Sequence, residues 1–136
     1  MPMVVDASVT ISWYLADEAT DTAQSVLERL RESEAIVPAL WWFETRNVLL
    51  MNERRGRLDQ SQTTAILAHL ARLPIALDRE PAGDAALALA RAHRLTFYDA
   101  AYLELALRRD VPLATLDRRL AAAARTAAVR LLGEDA

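Results

Sequence analysis

The sequence contains no cysteine and no lysine, and only three glycines and two histidines among its 136 residues. Without cysteine, a disulfide framework, a thiol nucleophile and a cysteine-ligated zinc site are excluded, and a reducing compartment is the natural setting. All sixteen basic residues are arginine, which excludes the P-loop, Schiff-base chemistry and receiver-domain phosphorylation, because each needs a lysine. A metal site built mainly from imidazole is hard to assemble from His69 and His93 alone.

The chain also lacks a strong net charge and a long apolar run. Nineteen acidic and sixteen basic residues give a net charge of −3, so binding to nucleic acid or to an anionic membrane would need a local basic patch. No stretch approaches the roughly 18 apolar residues of a membrane span, and the residues after Met1 do not resemble a signal peptide. We therefore expect a cytoplasmic protein with no membrane partner.

A length of 136 residues with 53% apolar residues suffices for one hydrophobic core, so residues 1–136 are predicted to form a single domain. Short apolar runs alternate with helical patterns, which is typical of an α/β fold around a mostly parallel sheet. Strands are predicted at Met3–Val5, Ala35–Val37, Ile75–Leu77, Leu113–Leu116 and Val129–Leu132. Helices are predicted at Ala7–Ala16, Thr20–Ser33, Pro38–Arg55 with Gly56 as its left-handed cap, Asp59–Leu73, Ala82–His93, Tyr98–Arg109 and Arg118–Arg125.

Asp6 and Asp117 each directly follow a predicted strand. Asp6 ends the first strand, and Asp117 follows the strand that begins at Leu113. In a parallel sheet the carboxyl ends of the strands meet at one edge, where ligands usually bind. The alternative is that each aspartate only caps the helix that follows it, and Ser8 could serve as the first cap equally well.

Two further acids lie on predicted helices. Glu44 has mostly apolar neighbours one turn away, such as Leu40, Trp41 and Val48, and acids are seldom placed on such a stripe unless they are paired or bound to metal. Asp99 stands three residues after Thr96, the spacing of a capping box. The alternatives are that Glu44 reaches solvent or Arg46, and that Asp99 only stabilises a helix start.

Taken together, the pattern predicts three acids at one sheet edge and a fourth on an apolar helix stripe. Like charges within a few ångströms destabilise a fold unless a positive charge joins them. Oxygen ligands without cysteine or a convincing histidine favour Mg²⁺ or Mn²⁺ over Zn²⁺. Such a cluster is suited to metal-dependent hydrolysis of phosphodiesters.

The sequence with these four acids resembles the PIN-domain family and, within it, the VapC-type toxins of VapBC toxin–antitoxin pairs. The resemblance extends over nearly the whole chain in family order, and its most specific parts are the Tyr98-Asp99-Ala100 pattern and the later Ala114-Thr115-Leu116-Asp117 pattern. The matching segments are Val4–Ser8, Pro38–Leu49, Thr96–Ala106 and Leu113–Leu120.

The resemblance implies a three-layer α/β/α domain of about four to five short strands, active as an Mg²⁺-dependent endoribonuclease that leaves a 5′-phosphate and a 3′-hydroxyl. It also implies a homodimer, or a higher-order complex with a cognate VapB-type antitoxin. The family's acidic quartet corresponds to Asp6, Glu44, Asp99 and Asp117. Of these, Asp6 and Asp99 would be direct metal ligands. Asp117 would complete the site directly or through water, and Glu44 would bind a second metal or orient water.

Other residues receive roles through their place beside the acids. Ser8 and Thr115 are candidates to support the metal ligands. The arginines next to the acids could contact backbone phosphate, or could be surface arginines with a partner on the same helix; they are Arg46, Arg118 and Arg119. The aromatic segments 13–15 and 41–43 could line a groove for an antitoxin helix, although core packing is the alternative for most of them.

Three competing functions remain at this point. An RNA-binding or regulatory domain would keep the fold, with the acids acting only as helix caps. A structure-specific DNA nuclease is a closer rival, but the chain lacks the extra length such enzymes use to clamp duplex DNA. A phosphatase of the haloacid-dehalogenase type needs a second aspartate two residues after the first, where this chain has Ser8.

Overall fold

The centre of the structure, a computed structural model that describes residues 1–133, is a four-stranded sheet. Its strands are β1 (Met3–Val5), β2 (Ala35–Pro38), β3 (Ile75–Asp78) and β4 (Leu113–Ala114). They lie in the order β3-β2-β1-β4, and every pair is parallel. The predicted parallel α/β sheet is confirmed, and all four strands end at the same edge.

Seven α-helices are found within residues 1–133. They are α1 (Ala7–Ser12), α2 (Asp21–Arg29), α3 (Leu40–Arg54), α4 (Gln60–Leu70), α5 (Gly83–His93), α6 (Phe97–Arg109) and α7 (Arg118–Thr126). Within the same residues, none of these helices combines the length and the apolar character needed to cross a lipid bilayer. The last three residues of the predicted domain, 134–136, lie outside the described residues.

Helices cover both faces of the sheet, as the alternation of β1 requires. Met3 and Val5 point into one hydrophobic cluster, which includes Val26 of α2. Val4 points to the opposite face, into a larger cluster built mainly from α3, α4, α6 and α7. Because successive strand residues face opposite sides, a strand that is buried on both sides lies in a middle layer. The expected three-layer α/β/α arrangement is therefore confirmed.

Several predicted boundaries are wrong by a few residues. The first helix ends at Ser12 instead of Ala16, and a separate 3₁₀ turn begins at Ala16. The second and fourth helices are also shorter than predicted. Pro38 does not open α3. It closes β2 opposite Asp78, because a residue before proline prefers extended backbone and Val37 thus continues the strand. Gly56 has a φ of 76°, which confirms the left-handed cap predicted after α3.

The predicted last strand at Val129–Leu132 is wrong, since this segment makes only one parallel bridge, between Leu113 and Leu131. The strand before it is also shorter than predicted and stops at Ala114. The physical reason is that the backbone N–H of Leu116 donates to a side chain, the Ser8 hydroxyl, instead of to a neighbouring strand.

Candidate active site

Asp6 lies at the centre of the carboxyl edge and is only 4% exposed. Its Oδ1 accepts a hydrogen bond from the Val9 backbone N–H at 3.0 Å and another from the Ser8 hydroxyl at 2.6 Å. Its Oδ2 accepts one from the Thr115 hydroxyl. Asp6 therefore does cap α1, and only its Oδ1 atom makes the capping bond. A carboxylate oxygen has two acceptor positions, so Oδ2 has capacity for one more ligand.

The segment after β4 is wrapped around this carboxylate. The Thr115 Oγ1 atom accepts from the Asp117 N–H at 3.0 Å while its proton goes to Asp6. Asp117 is exposed, and its Oδ1 accepts from the Leu120 N–H at 2.9 Å as the cap of α7. The hydroxyls of Ser8 and Thr115, both predicted to support the metal ligands, thus donate to Asp6. Each also accepts a backbone N–H of the segment after β4, that of Leu116 or that of Asp117.

Glu44 reaches the site from α3 and is half-buried. Its Oε1 accepts a 2.6 Å hydrogen bond from the hydroxyl of Tyr102, a residue of α6 that is 1% exposed. Sequence analysis did not assign Tyr102 any role. A signal existed, because Tyr102 is three residues after Asp99 and residues at that spacing share a helix face.

Asp99 lies in the first turn of α6, half-buried, and its backbone N–H donates to the Thr96 hydroxyl at 3.1 Å. This bond confirms that Thr96 caps the helix, as the spacing predicted. Because α6 packs against β1, β2 and β4, its first turn brings Asp99 to the edge where the other acids lie.

The four acids act on one another electrostatically. Burial raises the pKa of the Asp6 carboxyl, and the charge of Asp99 raises it further. Burial likewise raises the pKa of Glu44, with added contributions from Asp99 and Asp6. The pKa of Asp99 is raised by burial and then by the charge of Asp117. The acids predicted from four separate segments are thus close enough to repel each other.

The chemistry of these donors fits a hard divalent cation. Carboxylate oxygens are the ligands that Mg²⁺ and Mn²⁺ prefer, and Mg²⁺ is often held by one or two carboxylates with water and substrate phosphate completing its shell. Within residues 1–133, no group of three or more acidic or histidine side chains is arranged so that it could hold a metal ion. The predicted convergence of three acids on one ion is therefore not found in the described residues, whereas a site completed by water and phosphate fits them.

The three candidate arginines lie in different places. The Arg46 guanidinium stacks over the Trp42 ring at 3.7 Å and donates to the Trp42 carbonyl at 3.0 Å. Arg118 lines a depression shared with Thr115 and Asp117. Arg119 lines another one, beside α5. Their phosphate-binding role stays a prediction, and Arg118 is the one that the structure places beside the acids.

The aromatic segment on α3 divides between core and surface. Trp41 is buried, and its Nε1 donates to the Thr10 hydroxyl at 3.0 Å. Trp42 and Phe43 are 42% and 66% exposed, and their rings form an edge-to-face pair with centroids 5.0 Å apart. Only Trp42 and Phe43 of this segment are therefore accessible to a partner.

The aromatic segment after α1 is only partly accessible. Trp13 is half-buried and donates from Nε1 to a carbonyl of α2 at 2.8 Å. The Tyr14 hydroxyl is hydrogen-bonded to Nδ1 of His69 at 2.5 Å. His69, to which the sequence assigned no role, therefore ties α4 to the end of α1.

Comparisons with known proteins agree with this fold. A family model described as PIN domain matches residues 3–126. The protein named Ribonuclease VapC3 from Pyrobaculum aerophilum is 34% identical over 124 residues, which are 89% of this chain and 93% of that protein. The crystal structure of PAE2754 from Pyrobaculum aerophilum has a TM-score of 0.72 at 24% identity, covering 90% of this chain and 84% of that one. The crystal structure of FitAcB from Neisseria gonorrhoeae has a TM-score of 0.54 at 18% identity, covering 98% and 97%.

Proposed function

The chain belongs to the PIN-domain family, and on that premise we propose that it is a metal-dependent endoribonuclease and the toxin of a type II toxin–antitoxin pair. The observation that carries the proposal is the group of four acids at the carboxyl edge, in which one carboxylate raises the pKa of the next. Among the ion pairs within residues 1–133, none includes Asp6, Glu44, Asp99 or Asp117. Carboxylates that are grouped without an arginine partner, of which Asp6 is buried and Glu44 and Asp99 are half-buried, are typical of functional sites.

Asp6 and Asp99 are the residues that would hold the metal, and Asp117 would contribute to the site through water. A bound Mg²⁺ or Mn²⁺ supplies the positive charge that activates water and stabilises the leaving oxygen in phosphodiester hydrolysis. Ser8 and Thr115 orient the Asp6 carboxylate by donating to its two oxygens. With Oδ1 occupied by two donors, Asp6 is left to bind through Oδ2.

Glu44 stands across the site and would hold a second ion or orient the attacking water. Arg118, in the same depression as Thr115 and Asp117, would contact the phosphate backbone of the RNA. No side-chain nucleophile is required, because water is the attacking group. This division of roles matches the chemistry of the side chains, since carboxylates bind cations and a guanidinium binds phosphate.

The proposed partners are an RNA substrate, a cognate VapB-type antitoxin and a second copy of the chain, in the cytoplasm. The 34% identity to a protein named Ribonuclease VapC3 supports the nuclease and toxin assignment. Trp42 and Phe43 are the exposed aromatics that an antitoxin helix would contact. The alternative is a structure-specific DNA nuclease. Cleavage assays with RNA and with flap DNA as substrates distinguish it from an endoribonuclease.

A second candidate function is an RNA-binding domain without catalysis. The observation that favours it is that Asp6 and Asp117 both make helix-cap bonds, so each has a structural role whether or not a metal binds. For such a domain, purified wild type and Asp99→Asn should behave alike: either both cleave RNA equally or neither does. A selective loss in Asp99→Asn, with full activity in the control Asp84→Asn, favours the enzyme, because Asp84 is an exposed acid in the first turn of α5.

The decisive experiment is induced expression in a bacterial host, with total RNA sequenced for new ends that carry a 5′-phosphate. Wild type is compared with Asp6→Ala and with Asp84→Ala as the matched control. We expect slow growth and new 5′ ends for wild type and Asp84→Ala, and neither for Asp6→Ala. Identical ends and equal growth inhibition in all three strains would show that this site does not cleave RNA.

A further inference from the structure

We propose that Tyr102 is a positioning residue, whose hydroxyl holds the Glu44 carboxylate in the orientation that the reaction uses. The inference rests on the proposed function and deepens it, because it assigns a role to a residue outside the acidic quartet. The Tyr102 hydroxyl donates to Glu44 Oε1 at 2.6 Å. This short bond links α6, which carries Asp99, to α3, which carries Glu44.

The position of the Tyr102 hydroxyl is fixed by its surroundings. The residue is 1% exposed and belongs to the large hydrophobic cluster on one face of the sheet. A ring packed in this way cannot swing out to solvent without opening the core. The hydroxyl is therefore a rigid donor, whereas the Glu44 side chain is half-buried and would otherwise be free to change rotamer.

The direction of the hydrogen bond is also determined. The Tyr102 hydroxyl carries one proton, and an ionised carboxylate can only accept, so the hydroxyl donates to Glu44 Oε1. This bond uses one acceptor position of Glu44 Oε1 and leaves the second one for a ligand or a water molecule.

The helix that carries Glu44 is held by a separate set of bonds. Trp41 lies three residues before Glu44 and donates from Nε1 to the Thr10 hydroxyl at 3.0 Å. Thr10 in turn donates to the Asp6 carbonyl oxygen at 2.9 Å. Because this link does not involve Tyr102, loss of the Tyr102 hydroxyl should release the Glu44 side chain and leave α3 in place.

The test uses Tyr102→Phe, which removes the hydroxyl and keeps the packed ring, with Tyr98→Phe as the control. Tyr98 lies on the same helix, but it is 62% exposed. Mn²⁺ alone is titrated into each full-length protein by calorimetry, and RNA cleavage is measured separately as kcat and KM. We expect Tyr102→Phe to bind Mn²⁺ about 10-fold more weakly and to lose about 10- to 100-fold in kcat with KM unchanged, the range typical of losing a partner that orients a ligand. Tyr98→Phe should match wild type in both.

A double-mutant cycle shows whether the hydroxyl acts through Glu44. In a Glu44→Ala background, Tyr102→Phe should cause no further loss of Mn²⁺ affinity or kcat, because nothing is left to position. Equal losses with and without Glu44 would overturn the proposal and indicate a general structural role. If Tyr102→Phe does not fold, the Glu44 carboxyl ¹³C resonance of wild type should show a deuterium isotope shift from the bonded hydroxyl, and absence of that shift would contradict the proposal.

Failure of this proposal is distinguishable from failure of the proposed function. If wild type cleaves RNA and Tyr102→Phe matches it in Mn²⁺ affinity and kcat, the positioning role is wrong and the nuclease assignment stands. If wild type cleaves no RNA but Tyr102→Phe weakens Mn²⁺ binding only when Glu44 is present, the nuclease assignment is wrong and the positioning of Glu44 stands.

Discussion

Two buried aspartates end strands of the same sheet, and their surroundings are opposite. Asp6 follows β1 and is 4% exposed, and Asp78 ends β3 and is 5% exposed. Both lie at the carboxyl edge, because the strands are parallel. Within residues 1–133 arginine pairs with Asp78 and not with Asp6, which is why we assign Asp78 a structural role and propose a functional one for Asp6.

Asp78 is paired with arginine. Arg108 donates from Nη2 to Asp78 Oδ2 at 2.7 Å and from Nη1 to Oδ1 at 3.2 Å, while Arg109 lies 3.5 Å from Oδ1. Arg108 also pairs with the buried Glu104 one turn earlier on α6. The hydrogen bonds from Arg108 hold the pKa of Asp78 below its usual value. The negative charge of Asp78 is thus balanced by arginine, and these ion pairs connect the end of α6 to β3.

Asp6 has no such partner among residues 1–133, where its donors are two hydroxyls and a backbone N–H. Burial raises its pKa, and the charge of another acid, Asp99, raises it further. A carboxylate kept in this state costs stability and is therefore expected where a cation binds. Position at a strand end therefore does not distinguish these two aspartates, whereas the charge of their partners does.

The largest expected effect comes from Asp6→Asn. RNA cleavage should fall by more than about 100-fold, beyond the 10- to 100-fold typical of losing an outer partner of a metal ligand. The free energy of unfolding in the presence of EDTA should stay equal or rise, because a buried charge is removed and the amide oxygen still accepts from Val9. Cleavage assays and urea denaturation measure the two quantities. A loss of stability together with activity would contradict the contrast with Asp78.

The reverse pattern is expected for Asp78→Asn. Losing the charge-assisted bonds from Arg108 should lower the free energy of unfolding by about 2 kcal/mol. Cleavage by the folded protein should stay within a few-fold of wild type. Urea denaturation gives the stability, and cleavage is assayed at a temperature where both proteins are folded. If activity fell as steeply as in Asp6→Asn, Asp78 would belong to the active site.

Thr115→Val tests whether the hydroxyl that donates to Asp6 supports the reaction. The change keeps the shape of the side chain but removes the donor to Asp6 and the acceptor of the Asp117 N–H. We expect kcat to fall about 10-fold, at the lower end for a supporting partner. Thr126→Val is the control, since within residues 1–133 the Thr126 hydroxyl donates to a carbonyl of its own helix, away from the acids. Equal kinetics in the two variants would remove Thr115 from the supporting role.

The smallest effect is the pH dependence of stability without metal. Because the folded-state pKa values of Asp6, Glu44 and Asp99 are raised, the folded protein binds more protons than the unfolded chain above about pH 4. The free energy of unfolding should therefore fall as pH rises through those raised values. Asp6→Asn should flatten this fall. Urea denaturation in EDTA between about pH 5 and 8 tests it, and a parallel curve in Asp6→Asn would contradict it.

At the acidic end the sign reverses for Asp78. Its pKa is lowered in the folded state, so its contribution to stability is present above about pH 4, the ordinary pKa of an aspartate. That contribution should be lost as pH falls through the lowered value. Asp78→Asn should therefore lose less stability than wild type on acidification. An unchanged acid slope in Asp78→Asn would show that the Arg108 pair contributes little.

Much of the fold followed from local pattern. The parallel α/β sheet, the four strands from Met3 to Ala114 and the left-handed cap at Gly56 were predicted correctly, because periodicity and turn chemistry are encoded within a few residues. The strand predicted at Val129–Leu132 was wrong, since pairing depends on a neighbour distant in sequence. The end of β4 was missed for the same reason, as the Leu116 N–H bonds to Ser8.

The sequence alone indicated the four acids only as a set, because each one taken singly is also explained as a helix cap or as a surface acid. It could not tell Asp6 from Asp78, which also follows a short apolar strand. That distinction depends on Arg108, thirty positions further along the chain. Likewise the bond from Tyr102 to Glu44 joins residues 58 positions apart. Local periodicity is a property of neighbouring residues, whereas the charge and hydrogen bonds around a buried carboxylate are set by whichever distant segments fold against it.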